Sequence, residues 1–316
     1  MKYRYMECET INWLNRHHGK YELSHSGMSN VFDLKEYLSN SPIKTYIDLK
    51  EEIAGLHGCS SKDIVITHGA TEAFSMVIYH LANKYHSFRV NKPEYEMIYK
   101  TPKILGFRNG EEVFAASNPN NPTGTMIKLP ENYASAVIDE TFMEFVDTLD
   151  HYTYRNGFIV NTFTKVYGGG DLRLGYIVAP SVEEAKELEG FKGLITEDVS
   201  ALNISAGYQV LKRHDELLSK VREIIEKNHS ILLNDNGKLK FFGGKKPLAL
   251  PVSFVDYSAY TEEDSESVSE KLADKGIIAL PARYFGISGT YLRVCITGKD
   301  FPEAYSQLIG ALEAME

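Results

Sequence analysis

Between about residue 50 and residue 180, short runs rich in β-branched and aromatic residues alternate with segments of helical periodicity. A chain with that alternation folds as an α/β unit around a largely parallel sheet, because each strand can regain its direction only through a crossover laid on a sheet face. Asp63-Ile64-Val65-Ile66-Thr67 reads as a buried strand. After His68-Gly69, residues Ala73, Phe74, Val77, Ile78 and Leu81 recur at helical spacing and predict an amphipathic helix. Further strands are expected at 87–90, 112–116, 134–138, 158–161 and 175–178, each ending at a polar or glycine-containing junction. In open α/β sheets ligands sit beyond the carboxyl ends of the strands, so these junctions are where chemistry is expected.

Beyond residue 180 the pattern changes. Residues 205–232 read as one long helix, with Tyr208, Val210, Leu211, Leu217, Leu218, Val221, Ile224 and Ile225 at helical spacing, and a rod of that length bridges domains. After a turn at 234–237 the tail predicts strand 248–255, helix 264–275, strand 277–280, strand 291–297 and helix 301–315. The expected organisation is a large domain at 41–229 and a smaller α+β domain formed by 1–40 with 230–316. No repeat or low-complexity segment interrupts it.

Composition narrows the function classes. Lys and Arg number 34 against 43 Asp and Glu, a net charge of −9 without a long basic block, so a nucleic-acid surface is not expected. Cys8, Cys59 and Cys295 are scattered and form no close metal-binding or redox pair, which suits a reducing cytoplasm. No stretch approaches the roughly 20 apolar residues of a membrane span, and no signal peptide is expected. The ten histidines show no metal spacing. They read as surface or core residues, the adjacent His17 and His18 on different helix faces, with His68 the one near a functional turn.

The residues that carry chemistry lie at three strand ends: Ser117-Asn118-Pro119-Asn120-Asn121-Pro122-Thr123-Gly124, then Ile138-Asp139-Glu140-Thr141-Phe142, then Thr162-Phe163-Thr164-Lys165 with Arg173 eight residues on. They deliver an amide, a carboxylate and a lysine to one sheet edge. A lysine among apolar residues and glycines loses its proton readily, as an amine that forms Schiff bases must. The following arginine and the threonine hydroxyls offer a phosphate site. Together these describe pyridoxal phosphate, whose pyridinium nitrogen needs an anionic partner. Read singly, each residue has a plainer role: Lys165 a surface charge, Asp139 a helix cap, Arg293 an ion-pair residue, Tyr95 a core ring.

From about Tyr46 to the carboxyl terminus the chain resembles a fold-type I, class I/II aminotransferase. The resemblance rests on Asn-Pro-Asn-Asn-Pro-Thr-Gly, the Asp139 strand end, Thr-Phe-Thr-Lys with Arg173, and Tyr291-Leu292-Arg293, in the family's order. The wording around Asn121 and Asp139 is similar to the histidinol-phosphate aminotransferase and threonine-phosphate decarboxylase branch. The resemblance implies a large domain with a mostly parallel sheet flanked by helices, a smaller α+β domain and a homodimer. Transfer of an amino group from an L-amino acid to a 2-oxo acid is the implied reaction. Lys165 is then the lysine of the cofactor aldimine and the proton carrier, Asp139 the pyridinium partner, and Asn121 the donor to the phenolic oxygen and a substrate contact. Ala70, Thr71, Thr162 and Arg173 are implied at the phosphate, Tyr95 on the ring face and Arg293 at the substrate carboxylate. Tyr46 would reach the phosphate of a neighbouring subunit, and Gly27 would contact the substrate carboxylate.

The chain departs from the family pattern in four places. Phe142 stands where a tyrosine is usual, so a hydrogen bond to the phenolic oxygen is expected to be missing. Asp171 replaces a common glycine. The intervals from Asn121 to Asp139 and from Tyr46 to its following helix are short. The segment Leu23-Ser24-His25-Ser26-Gly27 lacks the usual asparagine-rich wording, so Arg4, Arg16 and Lys20 stand as substrate-facing cations or as solvated charges. Two other readings use the same scaffold: a decarboxylase or lyase of the threonine-phosphate decarboxylase type, and a non-catalytic protein.

Overall fold

The computed structural model describes residues 9–14, 16–24, 26–28, 45–146, 157–234 and 238–316, without the side chains of 11 and 12. Arg4, Cys8, the turn residues 235–237 and the expected domain boundary at 40/41 lie outside the described residues.

The strands, in chain order, are β1 (Tyr21–Glu22), β2 (Ile64–Thr67), β3 (Ser87–Arg89), β4 (Arg108–Asn109), β5 (Val113–Ser117), β6 (Ser135–Asp139), β7 (Gly157–Thr162), β8 (Gly175–Val178), β9 (Lys240–Phe241), β10 (Val252–Asp256), β11 (Ile277–Ile278), β12 (Leu280–Pro281) and β13 (Tyr291–Cys295). The helices are α1 (Glu9–Leu14), α2 (Tyr46–His57), α3 (Ala70–Leu81), α4 (Glu96–Ile104), α5 (Val182–Ile195), α6 (Ala201–Lys212), α7 (His214–Leu233), α8 (Ser265–Asp274) and α9 (Phe301–Glu313).

Seven strands form the main sheet in the order β2-β8-β7-β6-β5-β3-β4. β8 runs antiparallel to both neighbours and the other pairings are parallel, so the sheet is mostly parallel. Its central strands are apolar at successive positions because both faces are covered. Val113, Ala115, Val137, Phe158 and Val160 pack on one face against α3, α4 and α5. Phe114, Ala116, Ala136, Ile138 and Ile159 pack on the other against α2, α6 and α7. Helix α2 starts at a Thr45–Asp48 capping box and stops at Gly58 in the left-handed region.

A second sheet, β12-β13-β10-β9, is antiparallel and packs with α8, while α9 packs on β1, β11 and α7. β1 pairs in parallel with β11, and Trp13 of α1 packs with Phe254, Ile278 and Phe285, so the described amino-terminal residues join the carboxyl-terminal unit. Helix α7 spans the two parts. Arg222 donates to the carbonyls of Glu144 and Val146, and Asn228 to those of Ile296 and Gly298.

The single helix expected over 205–232 is two helices broken at Arg213, whose backbone leaves the helical region (φ −113°, ψ 20°). The run Lys212-Arg213-His214-Asp215-Glu216 places no apolar residue between Leu211 and Leu217, so burial does not hold this turn in line. Instead the Tyr167 hydroxyl pairs with buried His214 Nδ1 at 2.6 Å. The strand expected at 277–280 is likewise two, because Ile277–Ile278 pairs with β1 while Leu280–Pro281 pairs with β13.

Candidate active site

Register places the polar strand ends side by side. Ser117 at the end of β5 lies opposite Asp139 at the end of β6, and Thr162 at the end of β7 lies opposite Gly175 of β8. These ends open into a cleft of about 750 Å³ between the main sheet, the second sheet and the amino-terminal segment. Asp139, Lys165, Asn121, Phe142, Tyr95, Ala70, Thr71, Thr162, Arg173 and Arg293 all line it.

One end of the cleft is built for an anion. Helix α3 begins at Gly69 without a side-chain cap, which leaves the first amides of the helix without intrahelical partners next to Ala70 and Thr71. Gly69 has φ +92°, so the turn requires glycine, and its missing Cβ leaves the Arg173 Nη2, 2.9 Å from where a Cβ would stand, in place without a shift. Arg173 itself holds a left-handed backbone (φ 44°) and donates to the His68 carbonyl at 3.4 Å. Thr162 reaches the same end, where its hydroxyl donates to the Leu174 carbonyl at 2.9 Å and accepts from the Thr164 amide at 3.2 Å.

Asp139 occupies the floor. It is buried, and its Oδ1 accepts the Thr141 amide at 2.9 Å. Burial raises its pKa, with hydrogen bonding from Thr141 and the Lys165 charge opposing, so this carboxylate gains from a further positive partner. Lys165 shows the complementary shift. Burial first, and then the Arg293 charge, bring its ammonium down from 10.5 to about 8. The Met28 amide donates to the Lys165 carbonyl at 3.1 Å, so the amino-terminal segment lies against the lysine.

Arg293, on β13, closes the side opposite the sheet. It is 5% exposed, donates through Nη2 to the Ser24 carbonyl at 2.6 Å and through Nη1 to Asn121 Oδ1 at 3.3 Å, and its Nε has no hydrogen-bond partner among the described residues. Phe142 is buried and meets Phe145 edge-on at 6.2 Å, presenting no hydroxyl to the cleft.

Two site residues read from sequence are not at the cleft wall. The Tyr46 hydroxyl donates to Glu189 at 2.9 Å and accepts from Lys192 Nζ at 2.7 Å and the Ile66 amide at 3.2 Å. These own-chain bonds occupy it, and burial followed by the Glu189 charge pushes its pKa up to about 12. Gly27 sits between Ser26, which lines the cleft, and Met28, without lining it. The Lys20 ammonium turns to Glu303 and the Tyr21 hydroxyl, and Arg16 is exposed.

His17, half-buried, and His18, exposed as a surface residue, both line the cleft, but they do not sit on different faces of a helix. Helix α1 ends at Leu14, so helical face rules do not govern them. His17 stacks on Trp13 at 4.1 Å, with Nδ1 2.7 Å from the Trp13 carbonyl and Nε2 2.9 Å from Glu270. Thr10, Glu22, Ser24 and Ser26 also line the wall unannounced by any motif. Their wording carries no chemical signature; the β1–β11 pairing, the Thr10 amide on Glu96 and the Arg293 bond to the Ser24 carbonyl bring them there. His68 remains outside the lining and pairs through Nδ1 with Glu72 at 3.1 Å.

Comparison with known proteins agrees with this geometry. A profile of the family "Aminotransferase class I and II" matches residues 103–308. The chain is 26% identical over 316 positions to histidinol-phosphate aminotransferase 2 of Archaeoglobus fulgidus, covering 91% of this chain and 89% of that protein. It is 30% identical over 248 positions to histidinol-phosphate aminotransferase 1 of Carboxydothermus hydrogenoformans, covering 72% and 66%. The aspartate aminotransferase of Thermus thermophilus with maleate superposes with a TM-score of 0.81 at 15% identity, over 99% of this chain and 97% of that one, which shows a shared fold. With the profile spanning most of the chain, this protein belongs to the class I and II aminotransferase family.

Proposed function

We propose that this cleft moves the amino group of an L-amino acid to a 2-oxo acid, with Lys165 carrying the proton. The observation that supports it is the convergence, on one 750 Å³ space, of an amine shifted to about 8, a buried carboxylate, an anion-binding helix end and a buried arginine. The class I and II aminotransferases use pyridoxal phosphate. The residues present fit that group: Gly69 leaves room beside Arg173, the buried Asp139 carboxylate gains from a further positive partner, and Arg293 Nε has no hydrogen-bond partner among the described residues. The α3 amides, Thr71 and Arg173 would hold the phosphate, Asp139 the ring nitrogen, Tyr95 the ring face and Asn121 the phenolic oxygen. When bound, pyridoxal phosphate supplies a sink for the electron pair left at the amino acid's α-carbon.

The chain's own groups then divide the work. Arg293 pairs with the substrate carboxylate and so fixes which α-bond stands ready to break. Lys165 Nζ, neutral in an appreciable fraction at pH 7 because of its depressed pKa, takes the proton from the α-carbon and returns it elsewhere in the substrate–cofactor pair. Asp139 keeps its negative charge against the ring nitrogen, and Phe142 adds no donor.

The two units, 41–229 and 1–40 with 230–316, would close the cleft from opposite sides, a division supported by the β1–β11 pairing. A homodimer in the cytoplasm completes the reading. Ile47 on α2 and Leu202 on α6 are 63% and 62% exposed on helices that pack together, which suits a covered surface. Cys59 and Cys295 are free thiols, which suits a reducing compartment. No helix among the described residues is long and apolar enough to cross a membrane.

Incubation of the purified holoprotein with a panel of L-amino acids and 2-oxoglutarate is expected to yield glutamate without release of the amino acid's carboxyl carbon. Carbon dioxide without glutamate would instead establish a decarboxylase. A second test reads Lys165 directly. Capture of pyridoxal phosphate by the apoprotein, trapped with borohydride, should quicken through pH 8 and level off above about pH 9, since the neutral amine is the nucleophile. A rate still climbing toward 10.5 would mark Lys165 as an ordinary amine.

A further inference from the structure

Glu94, between the end of β3 and Tyr95, has no place in the chemistry derived above, yet it is 0% exposed directly beneath the cleft. Its Oε1 accepts the Tyr95 amide at 2.8 Å and the Ser117 hydroxyl at 2.6 Å. Its Oε2 accepts the Ser117 amide at 2.9 Å and Asn120 Nδ2 at 3.2 Å. The Ser117 oxygen in turn accepts the Asn121 amide at 2.8 Å. Four donors meet four lone-pair positions, and among the described residues no acceptor bonds the carboxyl, which is the hydrogen-bonding complement of a carboxylate anion. Burial first, and to a lesser degree the Asp139 charge, push its pKa up to about 8 against the hydrogen bonds from Ser117 and Tyr95. A carboxyl buried at such a desolvation cost, with every bond going to the segments that carry Tyr95 and Asn121, does more than fill space.

We infer that Glu94 is a positioning residue of this active site: its single carboxylate sets Tyr95 and Asn121 at a fixed spacing above Asp139. The inference rests on the proposed reading of the cleft as the pyridoxal phosphate site. Tyr95 is tied to Oε1 through its own amide, and Asn121 is tied through Ser117, which lies opposite Asp139 in the sheet. The Glu94 amide donates to the Phe285 carbonyl at 3.0 Å, so the same residue also joins the main sheet to the unit that carries Arg293. Aligning a ring-stacking side chain with the amide that faces the phenolic oxygen is a geometric task, and displacements near 1 Å at such a site cost about 100-fold in rate.

The test is Glu94→Gln. Whichever way the new amide turns, its NH2 group faces a backbone N–H, that of Tyr95 or that of Ser117, so one tie must break while volume is kept. The folded apoprotein is expected to bind pyridoxal phosphate about 10-fold more weakly in an absorbance titration and to lose about 10- to 100-fold in kcat, with KM for the amino acid changed less than about threefold. Asn121→Ala, costly in the wild type, should cost little more in the Glu94→Gln background. Strictly additive losses in cofactor affinity, or a Glu94→Gln protein with wild-type affinity and kcat, would overturn the inference. If Glu94→Gln does not fold, Ser117→Ala cuts the tie to Asn121 while keeping the carboxylate, and the same two outcomes decide. A wild-type chain that binds no pyridoxal phosphate would remove the site reading along with the inference, whereas normal wild-type binding with an indifferent variant removes the inference alone.

Discussion

Lys165→Ala is expected to abolish amino-group transfer, lowering kcat by about 10⁴-fold or more, while the protein stays folded and its melting temperature is unchanged or raised. No second amine lies among the described cleft residues, where the other nitrogen bases are the guanidiniums of Arg173 and Arg293 and the imidazoles of His17 and His18. Guanidinium keeps its proton throughout the working range and cannot act as the base. The stability half of the prediction follows from linkage. The Lys165 pKa is about 8 in the folded chain against 10.5 as a free side chain, so between those values the unfolded chain binds more protons and stability rises with pH. At pH 7 the folded state therefore holds a cation that burial and Arg293 disfavour, and alanine removes it. Half-reaction assays and a melting scan at pH 7 check both parts. Retained transfer at even a hundredth of the wild-type rate would show that another group moves the proton.

Asp139→Asn is the second large effect, an expected loss of about 10²- to 10⁴-fold in kcat together with weaker cofactor binding. Asparagine keeps the shape and can still accept the Thr141 amide, but it brings no negative charge to the ring nitrogen. Its effect on the apoprotein should run the other way. Burial raises the Asp139 pKa above 3.8, so the folded chain holds the proton more tightly and stability falls as pH rises through that interval. Above it the wild type carries a disfavoured buried anion that the variant lacks. The Asp139→Asn apoprotein should therefore melt at the same or a higher temperature than the wild type at pH 7, while the gain on adding pyridoxal phosphate shrinks. Paired melting scans with and without the cofactor read this out. A variant apoprotein that melts lower would mean that Asp139 is a structural cap and no more.

Much of this site was legible because strand ends in a parallel sheet are read from local pattern. The strands carrying Asn121, Asp139 and Lys165 were bounded within a few residues, and adjacency of parallel strands delivers their ends to one edge. The helix break at Arg213 was not legible, since apolar spacing resumes in phase and only the Tyr167–His214 contact shows which way the chain turns. The role of Glu94 was hidden for a related reason. A glutamate beside an aromatic residue reads as surface charge until Ser117 and Asn120 fold over it.

Tyr46 was expected to reach the phosphate of a neighbouring subunit; within its own chain it opens α2, and α5 brings Glu189 and Lys192 to its hydroxyl. Its hydroxyl's bonding capacity is settled by neighbours 143 and 146 residues away in sequence.

By itself, then, the amino-acid sequence determined the α/β class, the sheet edge that opens into the cleft and the identities of the amine, carboxylate and guanidinium groups that line it. These follow from periodicity and residue type, which act over a few residues at a time. Only the tertiary structure decided the wall made by His17, His18 and Glu22, the closure by Arg293 against Ser24 and Asn121, and the seat of Glu94. Those features depend on pairing between segments some 250 residues apart, such as Tyr21 with Ile277, and on desolvation that exists only once the two units have packed.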